Sequence, residues 1–300
     1  MSGALWALAA GTGFGVFQAI NRQAVRGMDA FFATFVQLIV SAIVLIIVSL
    51  TTQDVSLLFQ ASRLTIFYFV AAGFFHFLIG WTFLNASQKK IGAARTSPLT
   101  GTNPLFGVVI AAITLGEIPT WLELVGVAVI VLGAYLVSKE SVDPVDTNNR
   151  SQTWMAILSA SWLGLGAALF WAISPIFIKL GLAGLSSPIL GVTVGITASA
   201  IGYGLLLLFR RGRLIEPDIP REAWMYKLVA GVLVGLSTWM RWMALDLTTV
   251  AAVLSLSMVS TPLVILLSPI VSGKHLERVT VMLWTGTALI LSGALLLVFI

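Results

Sequence analysis

The chain contains no cysteine, which removes disulfides, thiolate metal sites and cysteine nucleophiles together. It is also short of charge: 10% of its 300 residues are Asp, Glu, Lys or Arg, against roughly 25% in soluble domains. Polar stretches are scarce, and the longest, KESVDPVDTNNRSQTW at residues 139 to 154, stands alone. Catalytic signatures are missing as well. There is no HExxH for a metalloprotease, no GxSG for a serine protease, no Walker lysine motif and no aspartate-rich motif, and the shortage of carboxylates leaves little with which to stage acid/base or metal chemistry. An enzyme is not expected, and neither a metal nor a cofactor is implied.

What is present is apolar: 58% of the residues are hydrophobic and the mean hydropathy is +1.01. A helix of about 20 mostly apolar residues crosses a bilayer, and such segments recur from Gly3 to Ile300. The pattern predicts an all-α integral membrane protein of ten spans, centred near Thr12, Val40, Phe74, Pro104, Val129, Ala167, Ala198, Leu236, Ser260 and Leu289. The first span is expected to stay in the protein, since no Lys or Arg precedes Arg22 and a signal peptide needs a basic start. Fourteen Lys and Arg, Lys227 among them, fall in loops after odd-numbered spans, whereas three, Arg63, Lys179 and Arg241, fall after even-numbered ones. The positive-inside rule then puts both termini outside a cell (inner) membrane. It also accounts for the net charge of +5 without nucleic acid as a partner.

The polar stretch divides the chain into a first unit, 1–138, a linker, 139–155, and a second unit, 156–300. Across it the sequence repeats in order. FGVFQAINR (14–22) matches WAISPIFIK (171–179), GWTFLNA around Trp81 matches RWMALDL around Trp242, and TNPL (102–105) matches STPL (260–263). EIPTWLELVGVAVIVLG (117–133) matches ERVTVMLWTGTALILSG (277–293), pairing Gly126 with Gly286 and Gly133 with Gly293. Five spans per unit is an odd number, so the second unit must enter from the opposite side: two inverted five-helix repeats around a central cavity, the architecture of secondary transporters. Pro104 and Pro262 take equivalent places in the fourth and ninth spans and are expected to kink them, with Pro175 a third kink in the sixth.

These paired motifs resemble the drug/metabolite transporter superfamily, in particular its ten-span EamA-type members, over nearly the whole chain as units of roughly 3–138 and 156–299. The resemblance implies export or exchange of small metabolites by alternating access. It also implies a cavity lined by the first, third, fourth, sixth, eighth and ninth spans. Small multidrug members of the superfamily couple protons through a carboxylate in the first span. Here that span has no Asp or Glu, only Gln18, which disfavours that device.

Several residues are candidates for the substrate site, each with an alternative. His76 is the ionisable residue at the middle of the third span; such a group faces a cavity or a partner on a neighbouring helix. Arg241 attracts an anion if its face lines the cavity, with Asp246 as counter-charge, or else snorkels to the surface. Trp171, Ser174 and Trp239, opposite Gln18, suit an amphipathic solute. Thr100, Asn103, Ser257 and Ser260 either face a wet cavity or heal the proline breaks. Arg22 and Lys179 screen the two mouths or set helix depth, and Glu117 and Glu277 read as capping groups in short connections. The expected function is a secondary exporter or exchanger of amino acids or related carboxylates, with multidrug or other metabolite efflux as the alternative and a channel further off. Proton or solute coupling stays open, and so does the choice between monomer and homodimer.

Overall fold

The structure is a computed structural model that describes residues 2–115, 120–140, 150–209, 219–273 and 276–299. Glu117, Arg210, Arg211, Arg213, Lys274 and residues 141–149 of the expected linker lie outside the described residues. Among those described, the chain is helical and has no strand. Its elements are α1 (Gly3–Arg26), α2 (Ala30–Thr52), α3 (Leu57–Gln60), α4 (Arg63–Gly73), a π-helical segment (Phe74–Gly80), α5 (Trp81–Ile91), α6 (Ala93–Thr100), α7 (Asn103–Leu115), α8 (Trp121–Glu140), α9 (Arg150–Gly184), α10 (Pro188–Phe209), α11 (Arg221–Leu247), α12 (Val250–Ser257), α13 (Ser260–Ser272) and α14 (Val281–Phe299).

Six helices are long and apolar enough to cross a membrane: Gly3–Arg26, Ala30–Thr52, Arg63–Ile91, Ser161–Gly184, Pro188–Phe209 and Arg221–Leu247. The expected third span is one rod in which α4, the π segment and α5 run on without a gap. The expected fourth and ninth spans differ from the sequence reading. Each is divided outright, into α6/α7 and α12/α13, where a kink within one helix was anticipated. The reason lies just ahead of the prolines. Gly101 and Thr102 leave the helical ladder, with Thr102 N–H donating back to Leu99 O at 3.2 Å and its hydroxyl to the same carbonyl at 2.7 Å. Pro104 is then the second residue of α7, in the first turn, where a missing N–H costs nothing. Pro262, the third residue of α13, has the same place after the break at Met258 and Val259. Pro175 stays inside α9 without dividing it.

Glycine contacts set how closely the helices approach. A Cβ on Gly11 would lie 2.8 Å from the backbone of Ser257, and one on Gly15 would lie 2.8 Å from Leu263. These positions seat α1 against α12 and α13. On the far side, Gly126 meets Gly293 and Gly133 meets Gly286, with a Cβ on Gly133 only 2.6 Å from Gly286 O. The order of those two contacts shows that α8 and α14 cross antiparallel. Such small-residue crossings let backbones pack where lipid offers no hydrophobic drive.

The bundle has two distinguishable ends. At one, which we call the basic end, the α1–α2, α5–α6 and α13–α14 connections meet. Here Asp29 caps α2 by accepting from Phe31 N–H at 2.9 Å and Phe32 N–H at 3.2 Å, the usual remedy for orphan N–H groups at a helix start. At the opposite end, Gly3 packs on Leu247 and Thr248, and Ser62 caps α4 through Thr65 N–H at 3.1 Å.

Candidate functional site: a central cavity

Between the two ends lies a cavity of about 600 Å³. Its lining comes from α1 (Phe14, Phe17, Gln18), the π segment and α5 (His76, Trp81), the α6/α7 break (Thr100, Gly101, Asn103), α9 (Trp171), α11 (Arg241) and the α12/α13 break (Leu254, Ser257, Met258, Ser260, Thr261). Both breaks therefore deliver polar groups and irregular backbone to the cavity. Non-helical backbone at membrane depth is tolerated where it lines such a space.

His76 is buried and held from three directions. Its Nδ1 shares a 2.9 Å hydrogen bond with the Ser174 hydroxyl, its ring stacks on Trp171 with centroids 5.5 Å apart, and its carbonyl accepts from Trp171 Nε1–H at 3.2 Å. The π-helical turn is the local cause, since a widened turn shifts a residue out of the regular ladder, and such bulges recur at functional sites. Gly80, one turn on, leaves the room that the Trp171 indole fills. Nothing in the residue pattern of 74–80 distinguishes a π turn from an α turn, so this feature was missed.

Arg241 overturns the snorkelling alternative. It is 6% exposed and lies on the cavity wall, and its Nε and Nη2 have no hydrogen-bond partner among the described residues. Asp246, the suggested counter-charge, faces away toward the Ser186 hydroxyl at 3.4 Å. Trp239 does not join the cavity. Two residues from Arg241, it points to another side of α11 and packs on Trp6 with centroids 6.0 Å apart. Ser174 acts through His76 and is not part of the lining. Thr100 does both things weighed for it: it lines the cavity and donates to Ser97 O at 2.8 Å. Trp81, Leu254 and Met258 are lining residues that the sequence did not single out. Trp81 was visible only as a repeat match.

Below the cavity, toward the basic end, two further groups differ from their sequence readings. Lys227, counted as a loop base, is fully buried in α11. Its Nζ donates to Asn21 Oδ1 and Gln37 Oε1, both at 2.7 Å, with Asn85 Oδ1 at 3.3 Å. Arg22, read as a mouth or depth charge, is buried in an ion pair, Nε to Glu277 Oε1 at 3.0 Å, and also donates to the carbonyls of Gln88 and Lys89. Glu277 does cap, as expected, but across the two units: its oxygens accept from Ala93 N–H at 3.0 Å and Ala94 N–H at 3.1 Å at the start of α6. At the opposite end Lys179 donates to Thr248 O at 2.8 Å.

The geometry can be set beside known proteins. The family model described as the EamA-like transporter family matches residues 1–139 and 158–299. The chain belongs to the EamA-like transporter family. Membership makes it a multi-pass membrane protein and a transporter of small molecules, in a family of transporters and not enzymes. The two matched segments are the family unit taken twice. Among curated proteins no sequence matches. Fifteen solved chains are similar. One, a crystal structure at 14% identity, covers 97% of this chain and 95% of its own length with a TM-score of 0.63, a likeness of fold.

Proposed function

We propose that this transporter is a secondary exporter or exchanger of amino acids or related carboxylates, working by alternating access of its two units. The observation that carries the reading is the Nε/Nη2 edge of Arg241, buried without a partner in the wall of a cavity otherwise built from Trp, Phe, amide and hydroxyl groups. A guanidinium edge matches a carboxylate through two parallel hydrogen bonds. Aromatic walls from Phe14, Trp81 and Trp171 suit the apolar part of the solute, while Gln18 and Asn103 can bind an amino or hydroxyl group.

Alternating access is supported by the breaks in equivalent places and by the antiparallel crossing of α8 and α14. Gly126 corresponds to Gly286 in the repeat and Gly133 to Gly293, so the contacts Gly126–Gly293 and Gly133–Gly286 exchange under a two-fold axis lying across the helices. An axis of that kind relates units of opposite insertion. The test is a thermal-shift screen of the purified protein against amino acids, organic acids and amines, in wild type and Arg241→Gln. Stabilisation by carboxylates in wild type that is lost in Arg241→Gln is expected. Stabilisation by amines alone, or carboxylate shifts that survive in the variant, would overturn the assignment.

A further inference from the structure

The buried amine of Lys227 has no part in the cavity, and its setting is unusual. Its neighbours come from α1, α2 and α5 of the first unit, while Lys227 belongs to the second, so the contact spans both units at the basic end. All of its partners are amide oxygens. Two are at 2.7 Å and the third, Asn85 Oδ1, is at 3.3 Å and already accepts from Asn21 Nδ2 at 2.7 Å. Two N–H groups, the complement of a neutral amine, satisfy this cage. Among the described residues the one salt bridge is Arg22–Glu277, so no carboxylate pairs with Nζ.

The titratable and charged groups on the surrounding elements are Arg22 and Arg26 on α1, Asp29 at the head of α2, and Lys89 and Lys90 on α5. Arg221, Glu222 and Tyr226 lie on α11 itself. None of them bonds to Nζ. The cage also touches the cavity: Asn21 Nδ2 donates to Gln88 Oε1 at 2.7 Å, and Gln88 Nε2 donates to the cavity residue Gln18 at 3.4 Å.

We propose that Lys227 is the proton-binding coupling site of the transporter. Resting on the carrier reading above, this adds the coupling ion, a proton, and the residue that takes it up. In the closed basic end Nζ is neutral and its two N–H groups hold Asn21 and Gln37. A proton from water adds to the Nζ lone pair and makes an ammonium. Buried without a counter-charge, that ammonium is costly, whereas water entering an opened end hydrates it. Protonation therefore opens the basic end, and return of the proton to water lets it close. Lysine can alternate in this way inside a protein, while arginine stays charged. The Gln88–Gln18 link gives an occupied cavity a route to the same cage.

The natural absence of cysteine makes single-cysteine reporters direct. Ser97 is 1% exposed and touches Thr261 across the units at 3.5 Å. It lies between Thr100 on the cavity wall and the Glu277-capped start of α6, so opening of the basic end exposes it. Maleimide labelling of Ser97→Cys in detergent-solubilised protein is measured between about pH 9 and about pH 6, a window chosen to keep most carboxylates ionised. The rate is divided by that of Phe59→Cys, a site 91% exposed, to remove the thiol's own pH dependence.

The expected result is a rise of about five-fold or more on acidification, the lower range of allosteric coupling. Lys227→Met should hold the rate low and flat. Asn21→Asp, nearly isosteric and so a second route if Lys227→Met fails to fold, supplies the missing counter-charge and should also keep the end closed at the lower pH. A flat wild-type profile, or a wild-type response persisting in either variant, overturns the proposal. Absence of Ser97→Cys labelling at every pH would show that the basic end does not open, which removes the carrier reading and this proposal with it.

Discussion

Replacing Glu277 by Gln tests the contact that joins the two units most directly. The carboxylate is fully buried, takes the Arg22 guanidinium at 3.0 Å and closes the start of α6 through two backbone N–H groups at 3.0 and 3.1 Å. Gln keeps the size but offers one oxygen where two were used, and turns an NH2 toward groups that are already donors. Removing one partner of a buried ion pair costs about 3–5 kcal/mol, and weakening the helix cap adds about 1 kcal/mol. At about 2–4 °C per kcal/mol for a chain somewhat smaller than this, the midpoint of thermal unfolding in detergent should fall by on the order of 10 °C. Arg22→Met should cost less, because Glu277 keeps both backbone donors. The double variant should then be less destabilised than the sum of the two, with a coupling of about 1–3 kcal/mol in the cycle. A Glu277→Gln protein that melts with wild type, or strictly additive effects, would refute the claim that this pair bears structural weight.

Three other outcomes follow from the same geometry. Gly92 has φ +86° and a Cβ there would lie 2.6 Å from both Glu277 oxygens, so Gly92→Ala should destabilise by about 2 kcal/mol or more, read as a lowered melting midpoint. Gly133→Leu should force α8 and α14 apart and yield little monodisperse protein in size-exclusion chromatography, whereas Gly107→Ala, at a position open for at least 4 Å, should behave as wild type. Asn103→Ala and Trp171→Ala should each raise the apparent KM by about ten-fold, the loss of roughly one hydrogen bond or one ring contact, while the proteins still insert and purify.

Much of the fold was legible because long apolar runs and a five-span repeat are properties of the chain taken in order. The six long spans, the placing of breaks ahead of Pro104 and Pro262, and the six spans that line the cavity can all be reached that way. The basic end could not. Asn21, Gln37, Asn85, Gln88 and Lys227 are scattered over four helices, and each alone is an ordinary polar residue near a span end. Lys227 follows Arg221 so closely that charge counting places both in a loop, and only packing shows that the next helix has already begun. Arg241 was ambiguous for a related reason: an arginine past the middle of a span can turn either way, and the neighbouring helix decides. The π turn at His76 is a matter of backbone register, which side-chain periodicity does not record. Trp239 was misplaced because richness in Trp was read without the angle separating it from Arg241 on α11.

The most direct measurement of the central claim is counterflow in liposomes. Protein reconstituted into vesicles loaded with an unlabelled amino acid or carboxylate that shifts its melting point should drive transient accumulation of the same labelled compound from outside, saturably, and Arg241→Gln should abolish it. Labelled solute that only equilibrates, in proportion to its concentration and equally with Arg241→Gln, would contradict a carrier whose central cavity holds its solute by an anionic group.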